Sequence, residues 1–125
     1  MKVALINPPI AFTSSQLETG VTPPLSMMYI SSYLKQHNID VTLIDSVPED
    51  PNNVYKVDKN YFGRGLSFEK ILEKIPKDTV IIGIANLFSV TFPLVLKLAA
   101  FLKHNLGKPI VVGGAHASAT AKDVL

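Results

Sequence analysis

The stretch VIIGIANLFSVTFPLVLKLAAFLKHNLGKPIVVGG, residues 80–114, reads as one strand–helix–strand unit. Val80–Ala85 is short, apolar at consecutive positions and rich in β-branched residues, the pattern of a strand covered on both faces. Thr91 or Phe92 then opens a helix with Pro93 in its first turn, where the missing N–H costs nothing. Val95, Leu98, Ala99 and Leu102 recur at helical spacing and mark its buried side, and Gly107 ends it. Pro109–Val112 is a second strand, stopped by Gly113-Gly114. A strand, a helix and a strand joined by short connections make a right-handed crossover between parallel neighbours. The apolar run from Val80 to Leu102 also has the length of a membrane span, which needs about 20 such residues. Asn86, Ser89, Thr91, Pro93 and Lys97 interrupt it, and Val80-Ile81-Ile82-Gly83 suits a strand better. A buried strand followed by a helix is the reading taken.

The same unit recurs toward the amino terminus. Val3–Asn7 is an apolar run ended by Pro8-Pro9, a further buried strand, and residues 8–21 form a loop. Thr22 caps a helix with Pro23 and Pro24 in its first turn. Leu25, Met28, Tyr29 and Tyr33 line one face of that helix, with Met27, Ile30 and Leu34 beside it. Asn38 is a left-handed stop from which Ile39 folds back. Val41–Ile44 is the second strand, with Asp45 at its end. Residues 46–66, with Pro48, Pro51, Asn52, Asn53, Gly63 and Gly65, read as a long surface excursion. Ser67 caps the next helix, whose Phe68, Ile71, Leu72 and Ile75 form its inner face, and Pro76 ends it. Beyond Gly114, Ala117–Leu125 begins a fourth helix. The expectation is an α/β domain on a doubly wound parallel sheet of order 2-1-3-4, truncated before a fifth strand. The fourth strand then presents an edge that could pair with a second copy.

At 125 residues the chain holds one domain. It has no cysteine, which excludes disulfides, thiolate metal sites, a cysteine nucleophile and an iron–sulfur cluster within these residues. Twelve basic and ten acidic residues give a net charge of +2 without a basic stripe, so no nucleic-acid partner is expected. Met1-Lys2 leads directly into Val3–Ile6, too short an apolar stretch for a signal peptide, and the cytoplasm is the default location.

In an open α/β sheet, ligands bind outside the carboxyl ends of the strands. That edge is built here from Asn7-Pro8-Pro9, Asp45-Ser46, Asn86-Leu87-Phe88-Ser89 and Gly113-Gly114-Ala115-His116. Asn7-Pro8-Pro9-Ile10 cannot supply the glycine-rich turn of a dinucleotide site, and no GxxxxGK[ST] phosphate loop occurs. A phosphoacceptor receiver needs acids where this chain has Asn7 and Asn86. The edge offers small residues and apolar walls instead. Gly113 and Gly114 allow close approach of a bulky ligand, or form only a tight strand-to-helix turn. Ser89, Thr91 and Ser118 can donate to sugar or phosphate oxygens, and Pro9, Leu87 and Phe88 offer apolar surface. No nucleophile–base pair or carboxylate pair emerges, so no catalytic residue is assigned.

Ile6-Asn7-Pro8-Pro9, Pro23-Pro24-Leu25, Val41–Asp45, Gly65–Glu69, Ile82-Gly83-Ile84 and Val111–Ser118 lie in one collinear order. Together they resemble the N-terminal cobalamin-binding domain of cobalamin-dependent radical SAM enzymes. The subgroup it resembles includes magnesium-protoporphyrin monomethyl ester oxidative cyclase and many methyltransferases. The resemblance implies a flavodoxin-like domain that holds the corrin ring against its strand ends, with the nucleotide tail in the sheet-edge crevice. It also implies a downstream radical SAM domain binding S-adenosylmethionine and a [4Fe–4S] cluster, with this chain as the module that positions cobalamin for methyl transfer or oxidative cyclisation. The cofactor-binding residues implied are Asn7, Pro8, Pro9, Asp45, Asn86, Leu87, Phe88, Ser89, Gly113, Gly114, Ala115 and His116. The methionine-synthase type of domain has DxHxxG where this chain has Asn7-Pro8-Pro9-Ile10, so no histidine is placed to be the lower cobalt ligand. Ala85-Asn86-Leu87 stands where that type has SxL. His116 is read as a turn or tail-contacting residue, and His37 and His104 as solvated residues near helix ends. A domain that keeps the fold and only docks a partner is the rival reading.

Overall fold

The computed structural model describes residues 1–13, 24–86 and 89–114, apart from the side chain of Ser89. Thr22, Pro23, Leu87, Phe88, Ala115, His116, Ser118 and the expected helix over 117–125 lie outside the described residues. In chain order the elements are β1 (Lys2–Asn7), β2 (Ile10–Phe12), α1 (Leu25–Gln36), β3 (Asp40–Asp45), α2 (Ser46–Glu49) and β4 (Val54–Asp58). There follow β5 (Tyr61–Arg64), α3 (Phe68–Lys74), β6 (Thr79–Ala85), α4 (Phe92–Leu106) and β7 (Ile110–Gly113).

The four apolar runs pair in parallel in the order β3-β1-β6-β7, which is the expected 2-1-3-4 arrangement. Strand alternation divides the sheet into two faces with different cover. On one face, Ala4, Ile6, Ile44, Ile82 and Ile84 pack against Ile71 and Ile75 from the α3 side and Val95, Leu98 and Leu102 of α4. This is the main core. The opposite face carries Val3 and Leu5 under Met27 of α1, with Leu34, Ile39 and Val41 closing round them. α1 covers only part of that face. A row running Leu43, Leu5, Gly83, Val111 crosses all four strands, and Val111 is 59% exposed at its far end.

The local punctuation works as its chemistry requires. Ser67 accepts from the Lys70 N–H at 3.2 Å, capping α3. Asn38 has φ 62°, and the Ile39 N–H returns to the Leu34 carbonyl at 3.0 Å. Gly107 closes α4 with φ 64°. Among the described residues no helix is long and apolar enough to cross a membrane.

Three expectations are corrected. Residues 46–66 are not a bare surface excursion, and residues 8–21 do not form an unbroken loop. β4 and β5 form a hairpin about Lys59-Asn60, and β2 adds antiparallel to β5 through Ile10↔Arg64 and Phe12↔Phe62. The resulting three-stranded sheet is a second layer standing on the start of α4. Its anchor is Tyr61, whose hydroxyl donates to the Val90 carbonyl at 2.5 Å and accepts from the Leu94 N–H at 3.2 Å. Tyr55 donates to the Leu66 carbonyl at 3.1 Å from the same sheet.

The second correction concerns α1. Its buried line is Met27 and Ser31, whereas Tyr29 and Tyr33 are 76% and 61% exposed and Leu25 and Met28 also face outward. The helix is apolar on most of its circumference, so spacing alone cannot rank its faces. Small Ser31 is buried one turn on from Met27 along the same line. Third, helical structure begins at Leu25, with Pro24 as the residue before it rather than inside the first turn.

Burial pushes the Tyr55 hydroxyl well above the ordinary tyrosine range, aided by the Glu69 carboxylate. It pushes Tyr61 upward too, partly offset by the Leu94 N–H. Both shifts favour the protonated hydroxyl in the fold. Their stabilisation is therefore complete below pH about 10 and is lost as pH rises above that value, where unfolded tyrosines ionise first. Urea denaturation at pH 9 and pH 11 should show the alkaline loss, and Tyr55→Phe should make it shallower. An equal alkaline loss in that variant would show that these hydroxyls are not its source.

Candidate functional site

The carboxyl edge of the parallel sheet is organised by hydrogen bonds between neighbouring strand ends. Asn7, last residue of β1, donates from its side-chain amide to Asp45 Oδ1 at 2.9 Å. Ser46, first residue of α2, donates from its hydroxyl to the Asn7 carbonyl at 2.7 Å. The Asp45 N–H in turn donates to Glu49 Oε2 at 3.2 Å. These contacts fix the ends of β1 and β3 to each other. Pro8 and Pro9 pass next to this junction and are buried, as the chain turns into β2.

At the other half of the edge, Asn86 follows β6 and is wholly buried. Its N–H donates to the Gly113 carbonyl at 2.6 Å, while neither polar atom of its side chain has a partner among the described residues. An unpaired buried amide costs about 1–3 kcal/mol, so its retention needs a reason. Gly114 has φ 120°, and a Cβ there would stand 2.7 Å from the Asn86 carbonyl oxygen. The two strand ends are thus packed backbone to backbone.

Between α1 and the half of the sheet that α1 leaves open lies an apolar groove of about 380 Å³. Its floor is Val3, Leu5 and Asn7 of β1, Ile81, Gly83 and Ala85 of β6, and Val111, Gly113 and Gly114 at β7. Pro24, Leu25, Ser26, Met27 and Ile30 form the α1 wall. The volume is that of a small-molecule site, which spans roughly 300–1,000 Å³. Three of the floor residues are glycine and one is alanine, so the room comes from missing side chains. Among the described residues, nothing lies within 4 Å of a Cβ built on Gly113. A Cβ on Gly83 would meet Leu5 Cδ2 at 2.9 Å.

A family model for the B12 binding domain matches residues 19–125. The chain belongs to the B12-binding domain family. The matched stretch contains β3, β6 and β7, whereas β1 precedes it and completes the same sheet. No curated protein and no solved structure matches the chain. The parallel sheet with helices on both faces is consistent with the α/β fold of B12-binding domains.

Of the residues singled out in the sequence, Asn7, Gly113 and Gly114 come together at the groove. Asp45 adjoins it through Asn7, and Asn86 lies behind Gly114. Ser89 begins a short 3-10 turn before α4. Leu87, Phe88, Ala115 and His116 fall outside the described residues. The residue pattern directed attention to the strand tips and did not point to the groove over the sheet face below them. Gly83 carried the signal, because glycine inside a strand marks close approach of another group. Among the described residues no cluster of three metal-ligating side chains occurs. His37 donates from its ring Nδ1 to the Tyr33 carbonyl, 2.9 Å away, at the end of α1.

Proposed function

We propose that this B12-binding domain holds cobalamin with its nucleotide tail in the groove beside α1 and its corrin ring over the carboxyl edge. The observation that carries the reading is the groove floor. Gly83, Ala85 and Gly113 leave a slot at the carboxyl half of the sheet that ordinary side chains would fill. A flat aromatic base and its sugar suit a slot with apolar walls and one polar end at Asn7. The orphaned Asn86 amide adds unspent hydrogen-bonding capacity behind the same glycines.

When bound, cobalamin supplies a cobalt centre able to carry a methyl group or exchange electrons. The residues of this chain bind and orient it. Asn7, Asp45, Gly113 and Gly114 frame the rim, and the resemblance adds Leu87, Phe88, Ser89, Ala115 and His116 as cofactor-binding residues. Pro8 and Pro9 hold the chain where it leaves β1, a turn that contains no histidine. The resemblance in the strand-end motifs supports a further step: the domain presents cobalamin to a radical SAM domain that binds S-adenosylmethionine and a [4Fe–4S] cluster. The reaction served would be methyl transfer or oxidative cyclisation.

Titrating the 125-residue chain with hydroxocobalamin tests the binding step. A saturable change in the corrin visible bands, ending at one equivalent, is the expected result. A flat titration with folded protein would favour the docking-only reading.

A further inference from the structure

The hydrogen bond between Asn7 and Asp45 sets the chemistry of the rim. An ionised carboxylate only accepts, so the NH2 of Asn7 must face it, which turns Asn7 Oδ1 the other way. Asp45 uses Oδ1 for that bond, and its side chain makes no further hydrogen bond or ion pair among the described residues. Glu49, whose carboxylate accepts from the Asp45 N–H, is paired with Lys74 at 2.8 Å. Among the described residues, both free oxygens at this end of the groove, Asn7 Oδ1 and Asp45 Oδ2, are therefore acceptors, and one belongs to an anion without a paired cation. Asp45 is half-exposed, so it reaches solvent and any ligand lying over the strand ends.

Resting on the cobalamin reading above, we infer that Asp45, oriented by Asn7, selects corrinoids whose ring side chains end in amides. A primary amide brings N–H donors that both of these acceptor oxygens can take. A corrinoid bearing free carboxylates brings a second anion and no donor, and is rejected by unpaired acceptors and like charge. Charged acceptors form the stronger class of hydrogen bond, which gives the selection its size.

Equilibrium dialysis of the chain against dicyanocobinamide and dicyanocobyrinic acid separates the possibilities. The first has amide side chains and no nucleotide tail; the second has carboxylates. The wild-type chain should bind the amide form at least about ten-fold more tightly, and Asp45→Asn should bring that ratio several-fold closer to one. Asparagine keeps an acceptor for the Asn7 amide while removing the charge. Wild-type protein that takes both corrinoids equally would overturn the inference even if the variant did not fold. So would a folded Asp45→Asn chain with an unchanged ratio. An effect confined to tail-bearing hydroxocobalamin would move the donor to the ribose and overturn the assignment to ring amides. Failure of every corrinoid to bind, hydroxocobalamin included, overturns the cobalamin reading itself and this inference with it.

Discussion

Gly114→Ala is expected to lower folding stability by about 3 kcal/mol or more, enough to remove a large share of a small domain's margin. Two independent effects act at this position. The φ of 120° is a conformation that L residues rarely adopt. The new Cβ would also stand 2.7 Å from the Asn86 carbonyl oxygen and 2.9 Å from its carbon, atoms of a strand end that cannot swing aside. Relief would require separating β6 from β7 where the Asn86 N–H meets the Gly113 carbonyl. Gly65 provides a scale for the effect. Its φ is 128°, but its Cβ would approach backbone only to 3.0 Å, so Gly65→Ala should cost less. Urea midpoints of the two variants and the wild type give the order directly. A Gly114→Ala chain as stable as wild type would mean that β6 and β7 are not held as closely as described.

The contrast between local and distant information explains what the sequence reveals about this fold. Gly107, Asn38 and the Ser67 cap are legible because each acts on backbone within a few residues. The central strands are legible because Val3–Ile6 and Val80–Ala85 are too apolar and too short to do anything but fill a covered sheet. The second sheet is harder. Val54–Asp58 alternates exposed and half-buried residues, and Asn60 turns the hairpin with φ 56°, so β4 and β5 carry a faint local signal. β2 carries none, since three residues gain their identity only from pairing with Phe62–Arg64, fifty or more positions away. α1 fails for a different reason. With Leu25, Met27, Met28, Tyr29, Ile30, Tyr33 and Leu34 distributed around it, its orientation is decided by the sheet beneath, not by periodicity. The same limit hid the groove. Gly113-Gly114 was visible as a rim feature, but the floor at Gly83 depends on strand register, where Leu5, Gly83 and Val111 lie side by side.

Gly113→Leu should abolish measurable hydroxocobalamin binding while leaving the fold intact, and this separation distinguishes a cofactor groove from a packing detail. Gly113 and Gly114 are adjacent, yet their surroundings are opposite. The φ of Gly113 lies outside the left-handed region, and nothing among the described residues stands within 4 Å of the Cβ position. A side chain there meets space, so the stability change should stay within about 0.5 kcal/mol, as at an ordinary surface site. Strand backbone gains slightly when glycine is replaced. The space it enters, however, is the floor of the groove, where four added heavy atoms take volume that the nucleotide tail needs. Gly83→Leu would be a poorer test, because its Cβ would press on Leu5 at 2.9 Å and confuse lost binding with a disturbed core. If Gly113→Leu binds as wild type does and is equally stable, the groove is not where the tail lies. If it unfolds, residues beyond those described fill the space in front of Gly113, and the slot is part of the core. Loss of binding in a chain with an unchanged urea midpoint has one physical source: occupation of the space that the missing side chain had left for the ligand.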